Sequence, residues 1–278
     1  MFWLRTFGCE LKKGDNMQRS VNKLAGCTVN AKDCELGKVN EFYFDDITWS
    51  IRYLVVKAGE WLTERIVLIP LAALGTTDWN SGRFNVNLPI KHVSNSPLID
   101  IEKPIARQNE IELFNHYSLQ YYWENEFYTR PIRMHTFSSA ANKKIQKEDD
   151  DLVQQLQINR SLLSTDKVKG YNIHANDGKV GCVDDYILDD ENWNLRFLIV
   201  DTNNQKPGKK ILILPRWIKR INSDEGKILL NLSQESIKNI PEFDPAQPVG
   251  TNYESELFNH YRDLEVRGDN TGLFWIAR

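Results

Sequence analysis

Two stretches decide the fold: Asp45-Asp46-Ile47-Thr48-Trp49-Ser50-Ile51-Arg52-Tyr53-Leu54-Val55-Val56 and Asp189-Asp190-Glu191-Asn192-Trp193-Asn194-Leu195-Arg196-Phe197-Leu198-Ile199-Val200. Each puts a pair of acids, a turn and a tryptophan ahead of a β-branched, aromatic-rich run, the pattern of a hairpin feeding a buried strand. The chain therefore reads as a tandem repeat. Gly26 and Gly170, Gly37 and Gly181, and Gly82 and Gly226 keep the spacing of 144 that separates Trp49 from Trp193. Around Pro70 and Pro215 the spacing becomes 145, which reads as one extra residue in the loop 203–209 that is lost again before Gly226. Loops absorb such insertions and strands do not.

Working outward, the first copy predicts strands at 27–31, 37–44, 51–56, 65–70, 74–78 and 83–87, a meander of six short strands with matches in the second copy. Many short strands separated by close turn signals indicate a small barrel or sandwich. Along the second strand the apolar phase breaks between Val39 and the pair Phe42 and Phe44, and again between Val183 and Tyr186, which predicts a bulge. The run 51–56 is apolar on both parities, as in a strand covered on both faces. An Asn176-Asp177-Gly178 corner suits a two-residue hairpin, whereas Cys34 replaces the glycine in the first copy and predicts a different or strained turn. Residues 89–95 read as one or two helical turns. The hexapeptide Glu112-Leu113-Phe114-Asn115-His116-Tyr117 recurs as Glu256 to Tyr261 at helical apolar spacing, an amphipathic arm after each barrel. This divides the chain into repeat 1 at 17–123, a polar linker at 124–160 with a helical stretch expected over 150–158, and repeat 2 at 161–267. The apolar third strands and the repeated helices are expected to let the two copies pack together as a dimer does, but within one chain.

Composition narrows the classes. The 278 residues allow two ordinary domains, and 41% hydrophobic with 26% charged residues is the make-up of a soluble globular protein. Lys plus Arg number 35 against 38 Asp plus Glu, so a net charge of −3 gives no global attraction to nucleic acid or anionic lipid. Cys9, Cys27, Cys34 and Cys182 form no Cys-x-x-Cys pair and do not recur between copies, which points to reduced thiols in a cytoplasmic setting. The longest apolar run, 66–74, is broken by Pro70 and too short to span a bilayer. The first residues lack a secretory pattern, and Met17 stands just before the repeat pattern begins at Arg19-Ser20-Val21-Asn22, so 1–16 read as an extension or a loose tail.

Gly26, Gly37, Asp45-Asp46, Trp49, Arg52-Tyr53-Leu54-Val55-Val56 and Pro70 together resemble the PRC-barrel family, the small β-barrel named from the photosynthetic reaction-centre H subunit. The resemblance covers both copies. With Arg107-Gln108-Asn109-Glu110 and Tyr121-Tyr122-Trp123 it is similar to free-standing bacterial proteins with two such barrels. It implies an all-β fold with short helical additions: two tandem six-stranded barrels related by an internal pseudo-two-fold. In this family the barrel serves protein contacts, beneath a quinone site in the H subunit and against a ribosomal protein in a ribosome maturation factor. This chain lacks the membrane helix of the first and the preceding RNA-binding-type barrel of the second.

The candidate binding residues are Asp45, Asp46, Trp49, Arg52, Asp189, Asp190, Trp193, Arg196, His116 and His260. Adjacent carboxylates can hold a hard cation, but neighbours on an extended segment face opposite ways, so the reading adopted is a turn in which Asp caps backbone amides and Arg52 and Arg196 balance the charge. Trp49 and Trp193 are either interface anchors or roofs over their own hairpins. His116 and His260 sit in a repeated helix with no recurring Ser or Cys nucleophile, which favours packing over catalysis. No nucleotide loop or His-Glu-x-x-His occurs, and the clusters Lys143-Lys144 and Lys209-Lys210 are too small to outweigh the acids around them, so a solvated surface is the default reading. The expectation is a non-enzymatic, cytoplasmic binding or scaffolding module acting through an unidentified protein partner, with a homo-oligomer kept open, and with no cofactor and no metal. The alternatives are a metal- or ligand-binding or enzymatic site at the junction of the copies, built on the paired acids with a histidine, and a ribosome- or RNA-linked factor.

Overall fold

In the computed structural model, residues 18–59, 65–101, 105–124, 162–202 and 209–267 are described. Cys9, the amino-terminal residues 1–16, the expected linker helix and most of the loop 203–209 lie outside them. The strands of repeat 1 are β1 (Gln18–Ser20), β2 (Thr28–Asn30), β3 (Glu35–Asp45), β4 (Ile51–Ala58), β5 (Ile66–Pro70), β6 (Leu74–Asp78) and β7 (Arg83–Val86). Helices α1 (Ile90–Ser94) and α2 (Arg107–His116) follow. Repeat 2 comprises β8 (Leu162–Ser164), α3 (Thr165–Val168), β9 (Asn172–Ala175), β10 (Gly178–Asp189), β11 (Leu195–Asp201), β12 (Lys210–Ile213), β13 (Ile218–Asn222), β14 (Lys227–Leu230), α4 (Gln234–Lys238) and α5 (Thr251–Arg267).

Two seven-stranded sheets result, with the orders β5-β4-β3-β2-β7-β6 and β12-β11-β10-β9-β14-β13. The parallel pairings β2–β7 and β9–β14 bring the first hairpin of each meander back to its last. The bulges expected from the broken apolar phase occur between Val39 and Glu41 and between Val183 and Asp185. Gly37 and Gly181 mark the tightest crossings: a Cβ on either would collide with the carbonyl oxygen of Lys57 or Asp201 on the next strand. β4 is buried from Ile51 to Val56, and it carries the centre of the repeat 1 core with Phe42, Phe44 and Phe84. Each such side chain contributes about 1.5–3 kcal/mol.

The pairing corrects one landmark. Leu54 faces Ile69 and Leu198 faces Ile213, so the spacing of 144 continues through β5 and β12 without an insertion. The two prolines are not equivalent. Pro70 ends a strand, whereas Pro215 opens the 3-10 turn 215–217, where a missing N–H costs nothing. In the hairpin β2–β3 the corner does differ from its twin, with Ala31 N–H donating to the Cys34 carbonyl and no positive φ at Cys34.

The seventh strand of each sheet comes from the other repeat. β1 pairs antiparallel with β10 (Gln18 with Asp189, Ser20 with Ile187), and β8 pairs with β3 (Leu162 with Asp45, Ser164 with Tyr43). Each repeat therefore lends its opening strand to its sister. The helices differ from the expectation, because α2 and α5 pack chiefly on their own repeats. Tyr117 Oη donates to the Leu68 carbonyl at 3.4 Å and Tyr261 Oη to the Leu212 carbonyl at 2.7 Å. Repeat-to-repeat contact falls mainly to strands and hairpin tips, joined by Thr165 of α3, which bonds the Phe42 backbone, and by Glu254 of α5, which accepts from Gln18.

Candidate functional site

At the first tip, Asp45 accepts at Oδ1 from the amides of Ile47 and Thr48, both at 3.0 Å, and its carbonyl accepts from Trp49 N–H at 2.8 Å. This four-residue loop closes only if Trp49 adopts a left-handed backbone, and its φ is 57°. Arg52 Nη2 lies 3.5 Å from Asp45 Oδ2 and donates to Thr48 Oγ1 at 3.1 Å. The second tip repeats the plan: Asp189 accepts from Glu191 N–H at 3.0 Å and Asn192 Nδ2 at 3.1 Å, and Trp193 has φ 59°. Asp190 is bound across the junction by Arg19 Nε at 2.5 Å, and the same guanidinium lies 4.4 Å from the centre of the Trp79 ring. Asp46 is half-buried.

The tips meet. Leu195 N–H donates to the Trp49 carbonyl at 2.7 Å, Ile51 N–H to the Trp193 carbonyl at 2.8 Å, and Ser50 Oγ to Asn194 Oδ1 at 2.5 Å, so an approximate two-fold passes between residues 50 and 194. The tryptophans divide the two roles open to them. Trp193 is an anchor that crosses to repeat 1, with ring centres 5.7 Å from Trp79, 5.8 Å from Phe84 and 6.3 Å from Phe42. Trp49 stacks on Phe44 of its own repeat at 5.1 Å. Both are buried, as are Asp45 and Arg52, so these four are not surface groups.

Flanking the tips, the exchanged strands bring matching polar hooks. Ser20 Oγ donates to Asp185 Oδ2 at 2.5 Å, and Ser164 Oγ donates to Glu41 Oε2. Asp185 also accepts from the amides of Asn22 at 3.0 Å and Tyr186 at 2.7 Å. Burial raises the pKa of both carboxyls, and these hydrogen bonds oppose the shift. A cavity of about 40 Å³ at this junction, between Asn22, Glu41, Thr165, Lys169 and Tyr186, is of water size.

His116 and His260 do not join the paired acids. His116 Nε2 donates to the His92 carbonyl at 2.8 Å and His92 Nε2 to the His116 carbonyl at 2.7 Å, with ring centres 4.8 Å apart. Because carbonyls only accept, each ring carries its proton on Nε2. In repeat 2, Ser236 replaces His92 and a single bond of 3.1 Å from His260 Nε2 to the Ser236 carbonyl remains. Among the described residues no three His, Cys, Asp or Glu side chains cluster as metal ligands, and Cys27, Cys34 and Cys182 are in no disulfide.

One constellation escaped the sequence reading as a site. Buried Glu110 on α2 accepts at Oε1 from Tyr53 Oη at 3.0 Å and Tyr122 Oη at 2.6 Å, and its Oε2 lies 2.7 Å from Arg107 Nη1. Burial and the Glu110 charge push the Tyr53 phenol well above its usual pKa. Arg52 lies 4.3 Å over Tyr122 and Arg107 lies 4.1 Å over Trp123, which stacks on Tyr121 at 4.7 Å. Tyr121, Tyr122 and Trp123 are half-exposed, forming an aromatic and arginine ledge. The signal was in the sequence, since Tyr121-Tyr122-Trp123 served to recognise the family, but only the fold sets it against Glu110 and Arg52. In repeat 2, Arg196 Nη2 lies 2.7 Å from Glu254 and Gln18 Nε2 donates to the same oxygen at 2.9 Å, without the aromatic cover.

The bulged β3, the Asp45 turn and the six-strand path β2–β7 coincide with the region where residues 17–91 match the PRC-barrel domain family. This part of the chain is a PRC-barrel domain. Residues 162–230 repeat the strand order of that PRC-barrel domain. Nothing among curated proteins matches the chain. Among the described residues no helix is long and apolar enough to cross a membrane.

Proposed function

We propose that the chain is a non-enzymatic PRC-barrel protein that acts as a cytoplasmic binding or scaffolding module through protein contacts. The observation that carries this reading is the ledge of Tyr121, Tyr122, Trp123 and Arg107. Tyrosine, tryptophan and arginine are the residue types that dominate protein interfaces, and here Glu110 and Arg52 hold them in place before any partner arrives. The groups that looked most chemical support the same reading. Asp45 and Asp189 cap turn amides, and His116 and His260 tie helices to carbonyls, so each has a shaping role.

The test is affinity capture from the source cells with wild-type protein and with Trp123→Ala and Arg107→Ala variants. A partner retained by wild type and lost from both variants, while circular dichroism stays unchanged, is the expected result. Equal recovery on all three baits would reject the ledge, and turnover of a metabolite by purified protein would reject the non-enzymatic reading.

A further inference from the structure

The junction between the repeats has the form of a dimer interface. Strand β1 sits on β10 and β8 sits on β3 in matching register. Ser20–Asp185 has its twin in Ser164–Glu41, and Leu195–Trp49 has its twin in Ile51–Trp193. To these paired contacts repeat 1 adds two single ones, the Arg19–Asp190 ion pair and the Trp193 ring against Trp79 and Phe84. Every one of these contacts runs between one repeat and the other. Neither barrel is complete alone, because the seat along Tyr43–Asp45 or Ile187–Asp189 is filled only by a strand from its sister.

We propose that this junction is a recognition surface for a second copy of the chain. Repeat 1 of one copy pairs with repeat 2 of another through the same exchanged strands. Within one chain the connecting segment keeps the sister repeat at an effective concentration on the order of millimolar, so the self-paired form dominates in dilute solution. The contacts themselves do not distinguish the two arrangements. They involve extended segments docked by main-chain bonds, with a serine hook and an arginine setting the register.

The experiment uses the full chain with a protease site inserted between Ala140 and Ala141, folded first and cleaved afterwards. The halves are expected to co-elute at the volume of the uncut chain. When cut protein with an affinity tag on repeat 1 is mixed with untagged cut protein in dilute urea, tagged repeat 1 is expected to acquire untagged repeat 2. Replacing Arg19 and Ser20 by alanine is expected to weaken the association of the cut halves at least about tenfold. Lys219→Ala, on an exposed face of β13, is the control that leaves association unchanged. Separation of the wild-type halves on cleavage overturns the proposal, as does co-elution without transfer between preparations. An Arg19→Ala, Ser20→Ala double variant that binds as tightly as wild type overturns the assignment of β1 as the recognition strand.

Discussion

Trp193 offers a test in which two effects of opposite sign are separable. Its ring is 8% exposed and packs against Trp79, Phe84 and Phe42 of the other repeat, while its backbone is held at φ 59°. Trp193→Ala empties the anchor site without relieving the backbone. Deletions of large buried aromatics cost about 3–5 kcal/mol. Trp193→Gly creates the same void, but a left-handed residue with a Cβ carries roughly 1–2 kcal/mol of strain that glycine lacks. The glycine variant is therefore expected to be the more stable of the two by about 1 kcal/mol, the reverse of their order in a helix or strand. Urea denaturation followed by circular dichroism, with m-values compared, measures the difference. An alanine variant equal to or more stable than the glycine variant would refute the claim that the loop forces a strained conformation on its tryptophan. Loss of less than about 1 kcal/mol in both would refute the anchor role.

Three further outcomes follow from buried groups and close approaches. Burial raises the folded-state pKa of Glu41 and Asp185, so their favourable contribution is present below the unfolded carboxyl range and is lost as pH rises through the raised folded values. Melting temperatures between pH 4 and 7 should therefore shift in favour of Glu41→Gln and Asp185→Asn relative to wild type as pH rises, and the opposite trend would contradict the burial argument. Gly37→Ala and Gly181→Ala drive a methyl into a neighbouring carbonyl and should each cost about 1–3 kcal/mol or more, read from the same urea curves, with Gly250→Ala as an uncrowded comparison that needs no left-handed backbone. His92→Ser gives repeat 1 the arrangement of repeat 2, removing one of two reciprocal bonds, and should cost about 0.5–1.5 kcal/mol; an unchanged melting curve would show that the pair contributes nothing.

What the sequence made legible was what repeats with a period. The phase break after Val39 and Val183 became two bulges, since side-chain alternation reports directly on which residue leaves the ladder. Asp45-Asp46 announced a turn because a short carboxylate can bond amides two and three residues on. Proline misled, because it fits both the end of a strand and the first residue of a helical turn, and Pro70 and Pro215 use one place each. The strand exchange left no trace, since three residues such as Gln18–Ser20 are too few to show alternation. The ledge beside Glu110 was hidden for a different reason: Arg52, Arg107 and Tyr122 lie on separate elements, and only the packing of α2 on β4 brings them together.

The late arrival of β8 has a consequence for synthesis on the ribosome. The last strand of repeat 1 ends at Val86, but the strand that covers Tyr43–Asp45 ends at Ser164. At about 5–20 residues per second, the nascent first barrel waits roughly 4–16 s with that edge open to any other extended chain. Newly made protein is thus most exposed to mispairing during elongation, before the second half has emerged to cover it.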